Sequence, residues 1–102
     1  MAPNDVVWPS ALEALVLKIL TAGESYGLDL VKKSDGALKR GSIYVTLGRM
    51  EKKGFISSRQ EDSTPDYIGI PRRIYKMEGF GMRALRAVEL GEAVMVGEAV
   101  PT

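Results

Sequence analysis

Ala37-Leu-Lys-Arg-Gly-Ser-Ile-Tyr-Val-Thr-Leu-Gly-Arg-Met-Glu-Lys-Lys-Gly54 is the stretch on which the reading of this chain turns. Ile43, Leu47 and Met50 recur at i, i+4 and i+7, which is one stripe of an α-helix. At about 100° per residue, Ser42, Val45, Arg49 and Lys52 point away from that stripe. Gly54 stands where a helix can end in a left-handed residue. The spacing predicts a short helix with an apolar back and a small, partly basic front. Such a front is narrow enough to lie against a phosphate-walled groove. The remaining sequence is then the holder of this helix.

Upstream, Ser10-Ala-Leu-Glu13 has the form of a capping box, in which hydroxyl and carboxylate satisfy each other's backbone amides. A largely buried helix is expected from there to Thr21, with Leu12, Leu15, Val16, Ile19 and Leu20 as its stripe. Ser25 is placed to cap a second helix, Tyr26 to about Lys33, lined by Leu28, Leu30 and Val31. Lys32 and Lys33 suit the negative end of that helix and are equally placed for a phosphate contact. Ser34-Asp-Gly36 breaks the chain before the third helix. Two helices, a turn and a third helix with an outward basic front make a helix-turn-helix.

After Gly54 the period changes. Phe55 to Gln60 and Arg72 to Met77 alternate as strands, and the turn-rich segment between them closes an antiparallel hairpin. A hairpin at this place is a wing. Its acidic tip, Glu61, Asp62 and Asp66, would be repelled by a polyanion, whereas Arg72 and Arg73 at its base would not. From about Phe80 to Val96 a last helical stripe appears, interrupted by Gly81 and Gly91. A core this small cannot cover it, so it is expected to pack on the same helix of a second copy. Residues 1–9, with Pro3 and Pro9, read as an arm, and Trp8 on it needs a surface to dock on.

The 102 residues amount to one domain, 45% hydrophobic. There is no Cys and no His, which removes disulfides, the usual zinc ligands and the commonest general base. No glycine-rich phosphate loop and no paired carboxylates stand in for them, so an enzyme is not expected, nor a cofactor or metal site. No apolar run reaches membrane-spanning length, and a cytoplasmic protein is expected. The net charge of +1 hides a division. Residues 32–76 hold eleven Lys/Arg against five Asp/Glu, and the rest of the chain three against eight. The basic middle is either a polyanion-binding face or a solvated mixed surface.

At this point the residues resemble the PadR family of bacterial transcriptional regulators. Leu17-Lys-Ile-Leu-Thr-Ala-Gly23 with Ser25-Tyr26-Gly27 is similar to that family's passage from its first helix to its second. Gly41-Ser-Ile-Tyr-Val-Thr-Leu47 is similar to its Gly-Thr-Leu-Tyr-Pro-Ala-Leu signature, and Met50-Glu-Lys-Lys-Gly-Phe-Ile56 to its Leu-Glu-x-x-Gly-Leu-Ile run. Gly69-Ile-Pro-Arg-Arg-Ile-Tyr75 resembles its wing motif. The likeness runs from residue 11 to about residue 86. Lys39 and Arg40 replace the usual Ser-Pro, Val45 replaces Pro, and Glu78 replaces the Thr that caps the last helix. The resemblance implies a mainly α (α+β) fold, a winged helix-turn-helix with a two-stranded β-wing and one C-terminal dimerisation helix. In chain order this is an arm (1–9), a DNA-binding domain (10–78) and a dimerisation helix with its tail (79–102). It implies a ligand-tuned repressor acting as a homodimer on double-stranded DNA.

The residues then take physical roles. Lys39, Arg40, Lys52 and Lys53 are the expected phosphate cations, whose counterion release supplies most non-specific affinity. Tyr44 either packs or bonds a phosphate through its hydroxyl. Ser42, Val45, Thr46 and Arg49 are placed to meet base edges; Arg49 either reads guanine or pairs with Glu51. A small aromatic effector could sit among Trp8, Met82, Met95 and Val96, which could equally be plain dimer core. The rival function is a winged-helix module that binds protein and has no operator; it would not need the basic front of the third helix.

Overall fold

A computed structural model describes residues 8–61 and 72–95, the last four by backbone alone. Most of the expected arm, the wing tip with Asp62 and Asp66, the Met95 side chain, and Val96 with the tail lie outside the described residues. Four helices and three strands follow in the order α1 (Ala11–Leu20), β1 (Ser25–Tyr26), α2 (Gly27–Lys33), α3 (Ile43–Lys53), β2 (Ile56–Gln60), β3 (Arg73–Met77) and α4 (Gly79–Met95).

The capping box at the start of α1 is present in both directions. The Ser10 amide donates to Glu13 Oε1 at 2.8 Å, and the Glu13 amide to Ser10 Oγ at 3.2 Å. The stripe of α1 is shifted from the expected one. Val16, Leu17 and Leu20 are buried, whereas Leu12 is 42% exposed. On α2, Leu30 enters the core and Leu28 stays outside.

Ser25 is not the cap of α2. It lies in β1, a third strand that the hairpin reading omits, and pairs with Tyr75 of β3. The open edge of β3 offers backbone partners to two residues at once, more than one hydroxyl cap would satisfy. The sheet is antiparallel in the order β1-β3-β2, with Ser58 opposite Tyr75 and Gln60 opposite Arg73.

The turn between α2 and α3 is organised by buried Ser34, whose hydroxyl donates to the Val31 carbonyl at 2.7 Å and accepts from the Leu38 amide at 2.9 Å. Asp35 and Gly36 take positive φ, and Leu38 then drops into the core. Ile43, Leu47 and Met50 are at most 1% exposed, so the apolar back of α3 is where its period placed it. Gly54 ends the helix at φ 81°. Its amide reaches the Glu51 carbonyl and that of Phe55 the Met50 carbonyl, the paired bonds of a Schellman cap. Phe55, fully buried, leads straight into β2.

The core joins α1, α2, α3, β2 and β3 and extends into α4 through Ala84 and Leu85. The expected boundary at residue 78 is therefore no break in packing. The Glu78 carboxylate, standing where the family has a capping Thr, accepts from the Ser57 hydroxyl of β2. Gly81 is where α4 comes closest to the rest. A Cβ there would lie 2.2 Å from the Phe55 carbonyl oxygen and 3.0 Å from Leu17 Cδ2. The sequence suggests a helix-weakening glycine; the packing makes it a contact residue.

One long-range ion pair locks α1 to α3. Lys53 Nζ donates to both Glu13 oxygens, at 2.8 and 3.0 Å, and the Glu13 side chain is only 3% exposed. Burial alone would push the Glu13 carboxyl up. The Lys53 ammonium and the Ser10 amide outweigh it and hold the carboxyl below its ordinary value.

Gly81→Ala should cost about 1–3 kcal/mol or more through overpacking. Gly91→Ala, where nothing lies within 4 Å, should gain up to about 1 kcal/mol from helix propensity. Thermal melts compare them, and a stabilised Gly81→Ala would mean that α4 stands farther off. The Glu13 carboxylate stabilises the fold above the ordinary glutamate value of 4.5, and this is lost as pH falls through its depressed folded value. Glu13→Gln should cost about 1–2 kcal/mol at neutral pH. It should then lose less stability than the parent chain between about pH 5 and pH 3. Parallel urea-melt curves would sink the assignment.

Candidate nucleic-acid interface

With Ile43, Leu47 and Met50 fixed in the core, the opposite face of α3 is turned to solvent. Tyr44 is 52% and Val45 58% exposed; Ser42, Arg49 and Lys52 are exposed and Thr46 half-buried. Lys39 and Arg40 are exposed on the turn that leads into the helix. Ser42 makes no side-chain cap, so the start of α3 is held by the bond from the Ile43 amide to the Lys39 carbonyl.

Lys53 does not join this face. Expected among the phosphate cations, it is spent on Glu13, because a nearly buried carboxylate needs a partner more than a solvated ammonium does.

Tyr44 both packs and remains accessible. Its ring lies over Gly27 so closely that a Cβ there would sit 2.8 Å from Tyr44 Cε1. Between Tyr44, the start of α2 and the base of the wing runs a groove of about 530 Å³. Tyr26, Lys32, Tyr44, Arg72 and Arg73 are among its lining residues. Both arginines are thus brought to the same side as the front of α3. Arg73 Nε donates to Ser58 Oγ at 3.0 Å. Arg72 stacks 4.3 Å from the centroid of the Tyr26 ring, with its Nη2 3.8 Å from Glu61 Oε1. The Tyr26 hydroxyl donates to the other Glu61 oxygen, and that carboxylate holds the phenol above its ordinary value.

Two long-range pairs tie the wing down. Arg59 of β2 forms a two-pronged pair with Glu24, at 2.9 and 2.8 Å. Tyr26 reaches Glu61 across the same gap of 35 residues. Neither pair has a local pattern that could announce it.

The expected effector residues are not gathered together among the described residues. Met82 lines a cleft of about 340 Å³ between α1 and α4, with Lys18, Met77, Leu85 and Arg86. Trp8, 54% exposed, does not line that cleft. Among the described residues there is no cluster of acids suited to a metal ion, and no helix is long and apolar enough to cross a membrane.

The fold recurs in solved structures. A PadR-like transcription factor from Bacteroides fragilis superposes with a TM-score of 0.74 at 26% identity, over 83% of this chain and 82% of that one. A PadR family transcription regulator from Clostridium difficile gives 0.69 at 27% identity, over 85% and 91%. A PadR-like transcriptional regulator from Bacillus cereus gives 0.62 at 29% identity, over 83% and 82%. No curated protein matches the chain. The model of the transcriptional regulator PadR-like family matches residues 16–87, from the middle of α1 into α4. With that match over most of its length, the chain belongs to the PadR-like family of transcriptional regulators.

Proposed function

We propose that the chain is a sequence-specific repressor that acts in the cytoplasm as a homodimer on a near-palindromic operator. The observation that carries this is the division of α3. Its apolar back is sealed in the core, while Ser42, Val45, Thr46 and Arg49 face out between the cations Lys39, Arg40 and Lys52. Duplex DNA rewards such a front twice. Phosphates attract the flanking cations irrespective of sequence, and base edges select through Arg49, which can pair bidentately with guanine. Arg72 and Arg73 extend the cationic side along the wing base, where they line one groove with Tyr44 of α3.

Dimerisation is assigned to α4. Its inner side serves the subunit core through Ala84 and Leu85, but Met82 and Leu90 are 41% and 52% exposed. A second α4 against these residues would remove that apolar area from water and set two α3 helices about 34 Å apart. Residues 10–78 are then the DNA-binding unit and 79–102 the pairing unit. Ligand response, as a small aromatic effector, is assigned to Trp8, Met82, Met95 and Val96, of which Trp8 and Met82 are exposed.

Arg49→Ala should weaken operator binding about tenfold or more and flatten the preference over random duplex. Lys52→Ala should weaken all duplexes alike, with a shallower salt dependence. Band-shift titrations over a salt series read both, once an operator has been selected from a random pool. Equal losses on both duplexes for both variants would remove the base-reading role of Arg49; no salt-dependent retention by the parent chain would favour a protein-binding module. For the dimer, Leu90→Glu should leave the fold intact and give a monomer in sedimentation, since Leu90 is outside the core. An unchanged dimer mass would place the pairing surface elsewhere.

A further inference from the structure

We propose that Ser58 is a positioning residue for DNA binding: it links Glu51 of α3 to Arg73 of the wing and holds the Arg73 guanidinium in place before a duplex arrives. This rests on the DNA-binding reading above, which already counts Arg73 among the cations, and adds the relay that readies it.

The sheet dictates the meeting. Ile56 and Ser58 alternate onto one face of β2, and Ile56 is buried there. Ser58 stands opposite the buried Tyr75, and Arg73 lies two residues before Tyr75 on the same strand. Ser58 and Arg73 are therefore diagonal neighbours on one face. Glu51, in the last turn of α3, comes to the same place. The Ser58 hydroxyl donates to Glu51 Oε1 at 2.9 Å and accepts from Arg73 Nε at 3.0 Å. A hydroxyl has one proton to give and lone pairs to receive with. The Glu51 carboxylate claims the proton, which leaves the lone pairs for Arg73. Alanine at this position could serve neither partner.

Arg59, on the neighbouring strand, shows what the relay avoids. It places both Nη groups on the Glu24 carboxylate, so its fork and its charge are already spent. Arg73 is held instead through Nε by a neutral oxygen, with the carboxylate one bond farther away. Among the described residues its Nη groups have no other partner, and the side chain is exposed. They are the end of the fork that can meet a phosphate. A long side chain loses freedom when it binds, and Arg73 has given up part of that freedom beforehand. Glu51 follows Arg49 by two residues, so the same link also ties the wing cation to the helix turn that carries Arg49.

The test uses the full chain and a fluorescent random-sequence duplex, with anisotropy followed over a salt series and a melting curve for each variant. Ser58→Ala removes no charge; it should weaken binding about threefold or more and leave the log–log salt slope unchanged. Ser58→Thr keeps the hydroxyl and should bind as the parent does. Arg73→Gln should lower the slope by about 0.9, and in that background Ser58→Ala should cost nothing further. A loss that came only from a weakened fold would lower the melting temperature and persist in the Arg73→Gln background. Such persistence, or Ser58→Ala binding as tightly as the parent, overturns the proposal. If Arg73→Gln keeps the parent's slope while Arg49→Ala still loses operator preference, the regulator reading stands and only the positioning role falls. A parent chain with no salt-dependent binding removes both.

Discussion

Three side chains, Ile43, Leu47 and Met50, hold α3 to the core, and everything exposed on that helix is exposed because they are not. A helix has only one face to bury, so fixing the back fixes the front. The Schellman cap at Gly54 then turns the chain without slack, and Phe55 drives the next residue into the same core. Helix and wing are in this way set by the buried residues of one segment, Ile43, Leu47, Met50, Phe55 and Ile56. A shift of register in that stretch would move both at once.

The second constraint is the two-residue strand β1. It ties the connection between α1 and α2 to β3, and two side-chain ties reach the other wing strand: Glu24, just before β1, to Arg59 of β2, and Tyr26 of β1 to Glu61, just after β2. Each exposed tie is worth little alone. Together with the ladder they fix the angle of the wing base relative to α3. Their cost is that two wing cations, Arg59 and Arg72, already face carboxylates before any partner arrives.

Local chemistry was readable from the residues. The capping box at Ser10, the left-handed Gly54, the stripe of α3 and the pairing of the two wing strands each span a few residues or follow from alternation. What could not be read was distant partnership. Lys53 has the position of a phosphate cation in a helical projection; only the fold brings Glu13, 40 residues earlier, within 2.8 Å. Ser25 has the chemistry of a cap, but the edge of β3 claims its backbone. Gly81 reads as a defect in a helix until the Phe55 carbonyl is found beneath it. In the interface the same rule holds: which residues face out was legible, and which of them are already engaged was not.

The close seat of α4 over Phe55 has a consequence for how relatives can diverge. Position 81 leaves no room for drift, and neighbouring Ala84 and Leu85 are held by the core. Leu90 of the same helix, 52% exposed and outside that core, carries no such obligation. On the proposed pairing through α4, gene copies arising by duplication could exchange this outer residue and cease to recognise each other, with no change in how each subunit folds. A preference of about 1.4 kcal/mol per pairing separates like from unlike tenfold. Such pairing would let insulated regulators multiply inside one cell.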